Sequence, residues 1–263
     1  MPEPILAVSG LRKVFGETVA VDDVSFELAA GGSLAIVGES GSGKTTIARM
    51  ITGLERPTAG TITACGSDRS TPARSTSERR RRGAEIQIVF QDPYSSLDPR
   101  QSGLASINEV LRLHRGGTQD ARDRRAAELA ELVGLDDRQI RSLPRNLSGG
   151  QRQRIAIARA LAAEPRVLVL DESVAALDVS IQAQVLNLLG DIRDATGISY
   201  VLISHDLAVV RQLTEQAIVM RHGRIVEAGA TAAVLDNPRD AYTRLLRDSV
   251  PRPGWKPQRR AIA

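Results

Sequence analysis

Apolar and polar residues alternate in short runs near the start of the chain: Ile5 to Val8, Val19 to Val24 and Ser25 to Leu28, with Gly10 and Gly16 between them. A period of two is what a strand with one buried face requires, so these runs predict a small layer of antiparallel strands. Ser33 to Val37 is a continuous apolar run that feeds a glycine-rich turn. Beyond the turn a helix is predicted from about Lys44 to Thr52, stopped by Gly53 with Pro57 following. From about Asp92 to Ala163 the β-branched runs disappear, and Ala126, Leu129, Ala130 and Val133 recur at helical spacing. This stretch reads as an inserted helical lobe. Val167 to Leu170 and Ser199 to Ile203 then restore short apolar runs of the kind shown by parallel strands covered on both faces. Ala217 to Met220 and Arg224 to Val226 flank His222-Gly223 and predict a hairpin, and a helical tail with a Pro-rich end follows from Asp236.

Composition narrows this picture in three places. With 263 residues and 42% hydrophobic content the chain can bury a sizeable core, as one large domain or a domain with an inserted lobe, which excludes disorder as its dominant state. Its 35 Lys and Arg against 31 Asp and Glu leave an excess too slight to imply nucleic acid without a localised patch. The one run of like charge, Arg79 to Arg82, lies between Glu78 and Glu85 without interleaved aromatics and reads as a solvated helix face, not a site. The single cysteine, Cys65, excludes an intrachain disulfide framework and a clustered cysteine metal site, and reads as a half-buried strand residue. MPEPILAVSG lacks the basic start and long apolar stretch of a secretory signal, and no apolar run approaches the ~18 residues of a membrane span. Membrane association is therefore expected only through a partner.

The candidate chemistry follows the predicted strand ends. In GESGSGKT at 38–45, Gly38, Gly41 and Gly43 allow dihedrals that a Cβ would resist, so successive N–H groups can point inward and form an anion nest. Lys44 adds a point charge for outer phosphates, Thr45 a hydroxyl for Mg²⁺, and the following helix its positive dipole end. A flexible Gly/Ser turn is the alternative, and the buried strand before and helical pattern after argue against it. VLVLDE at 167–172 places Asp171 and Glu172 at a strand's C-terminal end, where open α/β sheets border their ligand crevice. Asp171 suits the Mg²⁺ shell, and Glu172, re-aimed by one residue, suits polarising a water that attacks the γ-phosphate. Standing alone, the pair could instead cap the next helix. LSGGQ at 147–151 supplies a hydroxyl and two unhindered amides at the start of a helical run from Gln151 to Ala162, a second anion site or a simple helix cap. Gln91 follows the strand Ile86 to Phe90 and precedes the Asp92-Pro93 turn signal, where a hinge between core and lobe belongs. His205 follows Ser199 to Ile203 at the same topological place as Glu172, within reach of a γ-phosphate. His114 and His222 read as surface residues.

Taken in order, GESGSGKT, QDPYSSLDPR at 91–100, LSGGQ, VLVLDE and Ser204-His205 resemble the ATP-binding subunit of an ABC transporter, from about Val8 to Leu246. VFQDPYSSLDPR at 89–100, AVDDVSFEL at 20–28 and NPRDAYTRLLRDSVP at 237–251 are most similar to the oligopeptide/dipeptide/nickel importer class. The resemblance implies an α/β fold, a P-loop NTPase core with an N-terminal antiparallel β layer and an inserted helical subdomain. As one domain it would divide into core at 1–91 and 164–235, helical subdomain at 92–163 and tail at 236–263. It implies ATP contacts from Gly38, Ser40, Gly41, Ser42, Gly43, Lys44, Thr45 and Thr46, with Phe15 stacking on adenine; a merely packing aromatic is the alternative for Phe15. Ser148, Gly149, Gly150 and Gln151 would cap the nucleotide held by a facing subunit, so that two ATP molecules are sandwiched in a head-to-tail dimer. Thr45, Gln91 and Asp171 would hold Mg²⁺, and Glu172, His205 and Gln91 would serve hydrolysis.

The implied partners are a second ATPase subunit, identical or paralogous, and transmembrane permease subunits that meet the Gln91 loop. An extracytoplasmic solute-binding protein would act indirectly, nucleic acid would have no part, and the location would be peripheral on the cytoplasmic face of the plasma membrane. Departures from the family pattern are Ser173 for a proline and Ala175 for a serine in DESVAALD, and Asp240-Ala241 where the subgroup often has His-Pro. A C-terminal cysteine cluster carried by some members is absent from the sequence. An exporter ATPase, or a regulatory nucleotide-binding subunit with weak or no hydrolysis, is the alternative function. Service to DNA or ribosomes is disfavoured because neither paired nucleotide units nor a long coiled coil is visible.

Overall fold

The computed structural model describes residues 3–92, 96–175 and 177–249. Pro93 and the Pro-rich end beyond 249 lie outside the described residues. The N-terminal alternation builds a four-stranded antiparallel sheet from β1 (Leu6–Phe15), β2 (Thr18–Leu28), β4 (Ala59–Ala64) and β5 (Ser67–Asp68), in the order β2-β1-β4-β5. The three predicted runs are two long strands. Gly10 does not separate strands but sits inside β1 at φ 55, where the register with β2 shifts between Val8 and Leu11; one bulge there explains why the alternation slips. Cys65 is half-buried as expected but does not lie in a strand: with Gly66 it forms the two-residue β4–β5 turn, both at positive φ, the hairpin geometry that matches strand twist.

The second sheet has six strands in the order β10-β9-β3-β8-β7-β6, with β3 (Ser33–Val37), β6 (Ile86–Val89), β7 (Val167–Asp171), β8 (Ser199–Ser204), β9 (Gln216–Arg221) and β10 (Arg224–Ala230). Only β10 runs antiparallel, as the hairpin predicted across His222-Gly223. Every residue of β3, β7 and β8 is buried, which is why those strands read as unbroken apolar runs. Their side chains divide between two cores. Leu34 and Ile36 join Val169, Val201 and Ile203 against the antiparallel sheet and α1 (Lys44–Ile51), whereas Ala35 and Val37 join Leu168, Leu170 and Leu202 against the other helices.

Between β6 and β7 lie α3 (Gly103–His114), α4 (Gln119–Leu132), α5 (Asp137–Arg141), a 3₁₀ turn at Pro144–Asn146 and α6 (Gly149–Leu161). Ser102, Thr118 and Asp136 cap the first three with side-chain oxygens, and Ala126, Leu129, Ala130 and Val133 are all buried, as their spacing requires. Ahead of β6, α2 (Thr76–Glu85) carries Arg79 to Arg82 and buries no residue, with Arg82 paired to Glu78 one turn away. His114 corrects the surface reading: it ends α3 half-buried beside Gly83, and burial, then the Arg80 and Arg115 charges, push its pKa down. His222 is exposed in its turn. The C-terminal part comprises α7 (Val179–Thr196), α8 (Leu207–Leu213), α9 (Thr231–Asp236) and α10 (Ala241–Asp248), so the helical tail begins earlier than Asp236 and breaks once. Asp240 caps α10 by accepting from the N–H groups of Tyr242 and Thr243. Among the described residues no helix is long and apolar enough to cross a membrane.

Candidate nucleotide site

The loop at 38–43 joins β3 to α1 at the C-terminal end of the parallel strands, where strand ends leave a crevice. Its glycines have separate reasons. A Cβ on Gly38, at φ 154, would fall 2.3 Å from the Met220 carbonyl, and one on Gly43, at φ 102, would fall 2.4 Å from that of Ala20. Gly41, at φ 80, meets nothing within 4 Å, so the dihedral alone requires glycine there. The loop is tied to the β9–β10 turn, since Gly223 N–H donates to the Ser42 carbonyl (3.1 Å) and Asp22 N–H to the Gly223 carbonyl (2.8 Å). Lys44 is buried and folds back, with Nζ 2.8 Å from the Gly38 carbonyl and 2.7 Å from that of Glu39. Burial lowers its pKa, opposed by the carboxylates of Glu172, Asp171 and Glu39. Ser42 is buried, Thr46 half-buried, and Ser40, Gly41 and Thr45 are exposed at the mouth.

Two carboxylates close the other side. Asp171, the last residue of β7, is buried with Oδ1 3.4 Å from Thr45 Oγ1; burial and then the Glu172 charge raise its pKa, and the Thr45 hydroxyl opposes this. Glu172 turns away from the strand line by adopting φ 47, a conformation that costs a non-glycine residue about 1–3 kcal/mol. Its N–H donates to the Ile203 carbonyl (2.9 Å), and Oε1 lies 3.3 Å from Nδ1 of exposed His205. Gln91 is exposed just past β6, which pairs with β7 through Val89 and Leu170 and so ends beside Asp171. Lys44, Thr45, Asp171, Glu172 and His205 are thus brought together within one chain.

The signature segment is elsewhere. Ser148 caps α6 by accepting from Gln151 N–H (3.2 Å), and Gln151 Oε1 accepts from Ser148 N–H (2.9 Å), a reciprocal box that leaves Ser148 exposed. Gly150 packs so tightly on α7 that a Cβ would lie 2.5 Å from Ile181 Cγ2. Among the described residues no hydrogen bond or ion pair joins 148–151 to 38–46. Phe15, at 47% exposure, is not a core residue; the Lys13 ammonium sits 4.7 Å from its ring centroid. Ser173, which stands in place of the family's proline, is buried with a hydroxyl that has no hydrogen-bond partner.

Sequence reasoning missed two contributors. Gly223, read only as a hairpin turn, braces the loop, and Tyr242, read only as part of a tail helix, accepts a hydrogen bond from Glu39 N–H (3.1 Å) across 203 positions of sequence. The tail motif was the available signal, but no local pattern reveals a contact so distant.

A parallel strand, a glycine loop and a helix set against two carboxylates on a neighbouring strand end define a phosphate-loop nucleotide-binding cassette. Residues 21–175 match the family described as ABC transporter, and the chain belongs to that family. It is 48% identical over 243 residues to the oligopeptide transport ATP-binding protein OppD of Mycobacterium tuberculosis, covering 92% of this chain and 39% of that protein. To the glutathione import ATP-binding protein GsiA of Salmonella typhimurium it is 46% identical over 260 residues, 95% of this chain and 41% of the other. The chain therefore spans about two fifths of the length of these curated relatives. A putative peptide import ATP-binding protein of Brucella abortus is 48% identical over 235 residues, 89% of this chain and 70% of that protein. Among solved structures, cbiO1 of Clostridium perfringens, part of the ABC transporter complex cbiONQ, superposes with a TM-score of 0.81 at 26% identity, covering 96% of this chain and 98% of that one. The ATP-binding cassette MJ0796, a dimer in a post-hydrolysis state bound to ADP and Pi, gives 0.77 at 28% identity, covering 86% and 98%.

Proposed function

We propose that this protein is the ATP-binding, ATP-hydrolysing subunit that energises an ABC importer for peptides or similar small solutes. The observation that carries the reading is the meeting, at one crevice, of a glycine loop with Lys44, a Thr45 hydroxyl 3.4 Å from Asp171, and Glu172 turned to within 3.3 Å of His205. The loop residues Gly38, Ser40, Gly41, Ser42, Gly43, Lys44, Thr45 and Thr46 bind the phosphates, and Lys44 exchanges its two carbonyl partners for phosphate oxygens. Glu172 orients and polarises the attacking water, and His205 contacts the γ-phosphate side of it. Exposed Phe15 offers its free face to adenine.

The oxygen donors of Thr45, Asp171 and Gln91 suit a hard divalent cation, and at Asp171 burial and the neighbouring Glu172 charge outweigh the Thr45 hydroxyl and the Arg49 and Lys44 charges, so that added positive charge would be favoured there. Those three residues would hold Mg²⁺, which supplies neutralisation of phosphate charge. The cap at 148–151, with Ser148 exposed and no hydrogen bond or ion pair to its own loop among the described residues, fits a site completed by a second subunit, identical or paralogous; the dimeric state of MJ0796 supports a second subunit. In that arrangement ATP binding favours a closed dimer and hydrolysis reopens it, the work coming from differential affinity for the two states. The helical subdomain at 92–163, with Gln91 at its hinge to the core at 1–91 and 164–235, transmits closure to membrane permeases at the cytoplasmic face, and a solute-binding protein delivers the solute from outside. In the tail, α10 is tied to the core by the Tyr242 hydroxyl at Glu39 N–H. The names of the OppD, GsiA and Brucella relatives support import of peptides.

Glu172→Gln tests this reading. It should lower ATP turnover by roughly 10²–10⁴-fold, the usual worth of a positioned base, while ATP stays bound and a dimer accumulates in size-exclusion chromatography. Unchanged turnover would remove Glu172 from the mechanism, and a wild-type protein that binds ATP without turnover would support a regulatory subunit instead.

A further inference from the structure

We propose that Tyr242 is a positioning residue for the nucleotide, holding one peptide plane of the phosphate loop across from Lys44; this rests on the ATP site proposed above. The plane in question contains the Gly38 carbonyl and the Glu39 N–H. Lys44 Nζ donates to that carbonyl at 2.8 Å, and the Tyr242 hydroxyl accepts from that N–H at 3.1 Å. A peptide unit is rigid and planar, so any rotation that breaks one bond swings the other. Gly38 gives the chain torsional freedom at this point that other residues lack, and an anchor on the plane removes it.

Tyr242 is itself held from several sides. It is buried, and the Arg221 guanidinium lies 4.9 Å from its ring centroid. Asp240 Oδ1 accepts from its N–H at 2.8 Å. Glu227 on β10 accepts from Arg239 N–H at 2.8 Å and Asp240 N–H at 3.2 Å, which seats the start of α10 on the sheet. Arg221 follows Met220, whose carbonyl fills the space beside Gly38. The end of β9 thus supports both the glycine and the tyrosine that steadies it. Because Glu39 N–H is committed to Tyr242, it is not among the donors left for a phosphate. Losing the hydroxyl would strand that N–H or turn the plane towards another partner, and either disturbs the loop before nucleotide arrives.

Tyr242→Phe keeps the ring and deletes only the hydroxyl. In the full chain, Kd for trinitrophenyl-ATP and KM for ATP should both rise by roughly 3- to 10-fold, the equivalent of one neutral hydrogen bond, with kcat changed less than about twofold. Affinity and KM unchanged within about twofold would overturn the role, as would a loss of kcat at constant KM. Amide hydrogen exchange on the wild type gives a second reading that needs no variant: Glu39 N–H should be protected, and exchange within the dead time would also overturn it. Lys44→Ala separates the two levels of inference. If it retains wild-type nucleotide affinity, the ATP site itself is misassigned; if it loses affinity while Tyr242→Phe does not, only the role of Tyr242 falls.

Discussion

His114 shows how one side chain's surroundings set its behaviour. Burial and two nearby guanidinium groups hold its pKa below the ordinary value, so the folded protein binds a proton there less readily than the unfolded chain does. Its stabilising contribution is present above the unfolded pKa of about 6.5 and is lost as pH falls below it. His114→Gln should therefore show a smaller drop in Tm than wild type between pH 7.5 and pH 5 in thermal melts; an equal or larger drop would contradict the assignment. The sequence made this histidine a surface residue because Arg115, Gly116, Gly117 and Thr118 follow it, whereas its covering comes from Arg80 and Gly83 of α2, a helix whose arginines were read only as a solvated face. Asp171, Glu172 and His205 were legible for the opposite reason: strand-end position fixes what they face, and position within a buried strand is written in local hydrophobicity. The left-handed turn at Glu172 was not legible, since nothing about a glutamate announces positive φ.

At the scale of elements, α6 joins a capping box to a close helix contact. Gly150 allows the first turn of α6 to lie against Ile181 of α7, and an added Cβ would meet that side chain at 2.5 Å. Gly150→Ala should cost about 1–3 kcal/mol through overpacking, seen as a lower Tm, while nucleotide binding by the isolated chain is kept because the phosphate loop is untouched. A Tm equal to wild type would mean that α7 yields without cost. The cap at Ser148, the glycine stop after α1 and the apolar stripe of α4 were all readable, because each is a local rule with a local signal. Bulges are harder. Gly10 carries the same chemistry whether it ends a strand or kinks one, and only pairing with β2 decides between them. Cys65 misled similarly: an apolar side chain after an alternating run continues the pattern, and only the pairing of Ala64 with Ser67 reveals the turn.

At the scale of the whole molecule, no hydrogen bond or ion pair among the described residues joins the signature segment to the phosphate loop, and the proposed second subunit is what would bring them to one nucleotide. Ser148→Arg in a Glu172→Gln background should leave nucleotide binding by the monomer within about twofold and abolish the ATP-dependent dimer, since a bulky cation would fill the space meant for phosphate. A dimer of undiminished stability, measured by light scattering, would contradict the sandwich. The global plan was readable because motif order mirrors strand order along the chain. What the sequence withheld was contact between distant segments, above all the turn at Gly223 and the helix at Tyr242 that together brace a loop some 200 positions earlier.

The central strand β3 has a consequence of its own. Leu34 and Ile36 look towards the antiparallel sheet, while Ala35 and Val37 look towards the opposite helices. Neighbouring residues on this party wall answer to separate rooms, so evolution can refurnish either side independently while the wall keeps delivering the same glycine loop to the same place.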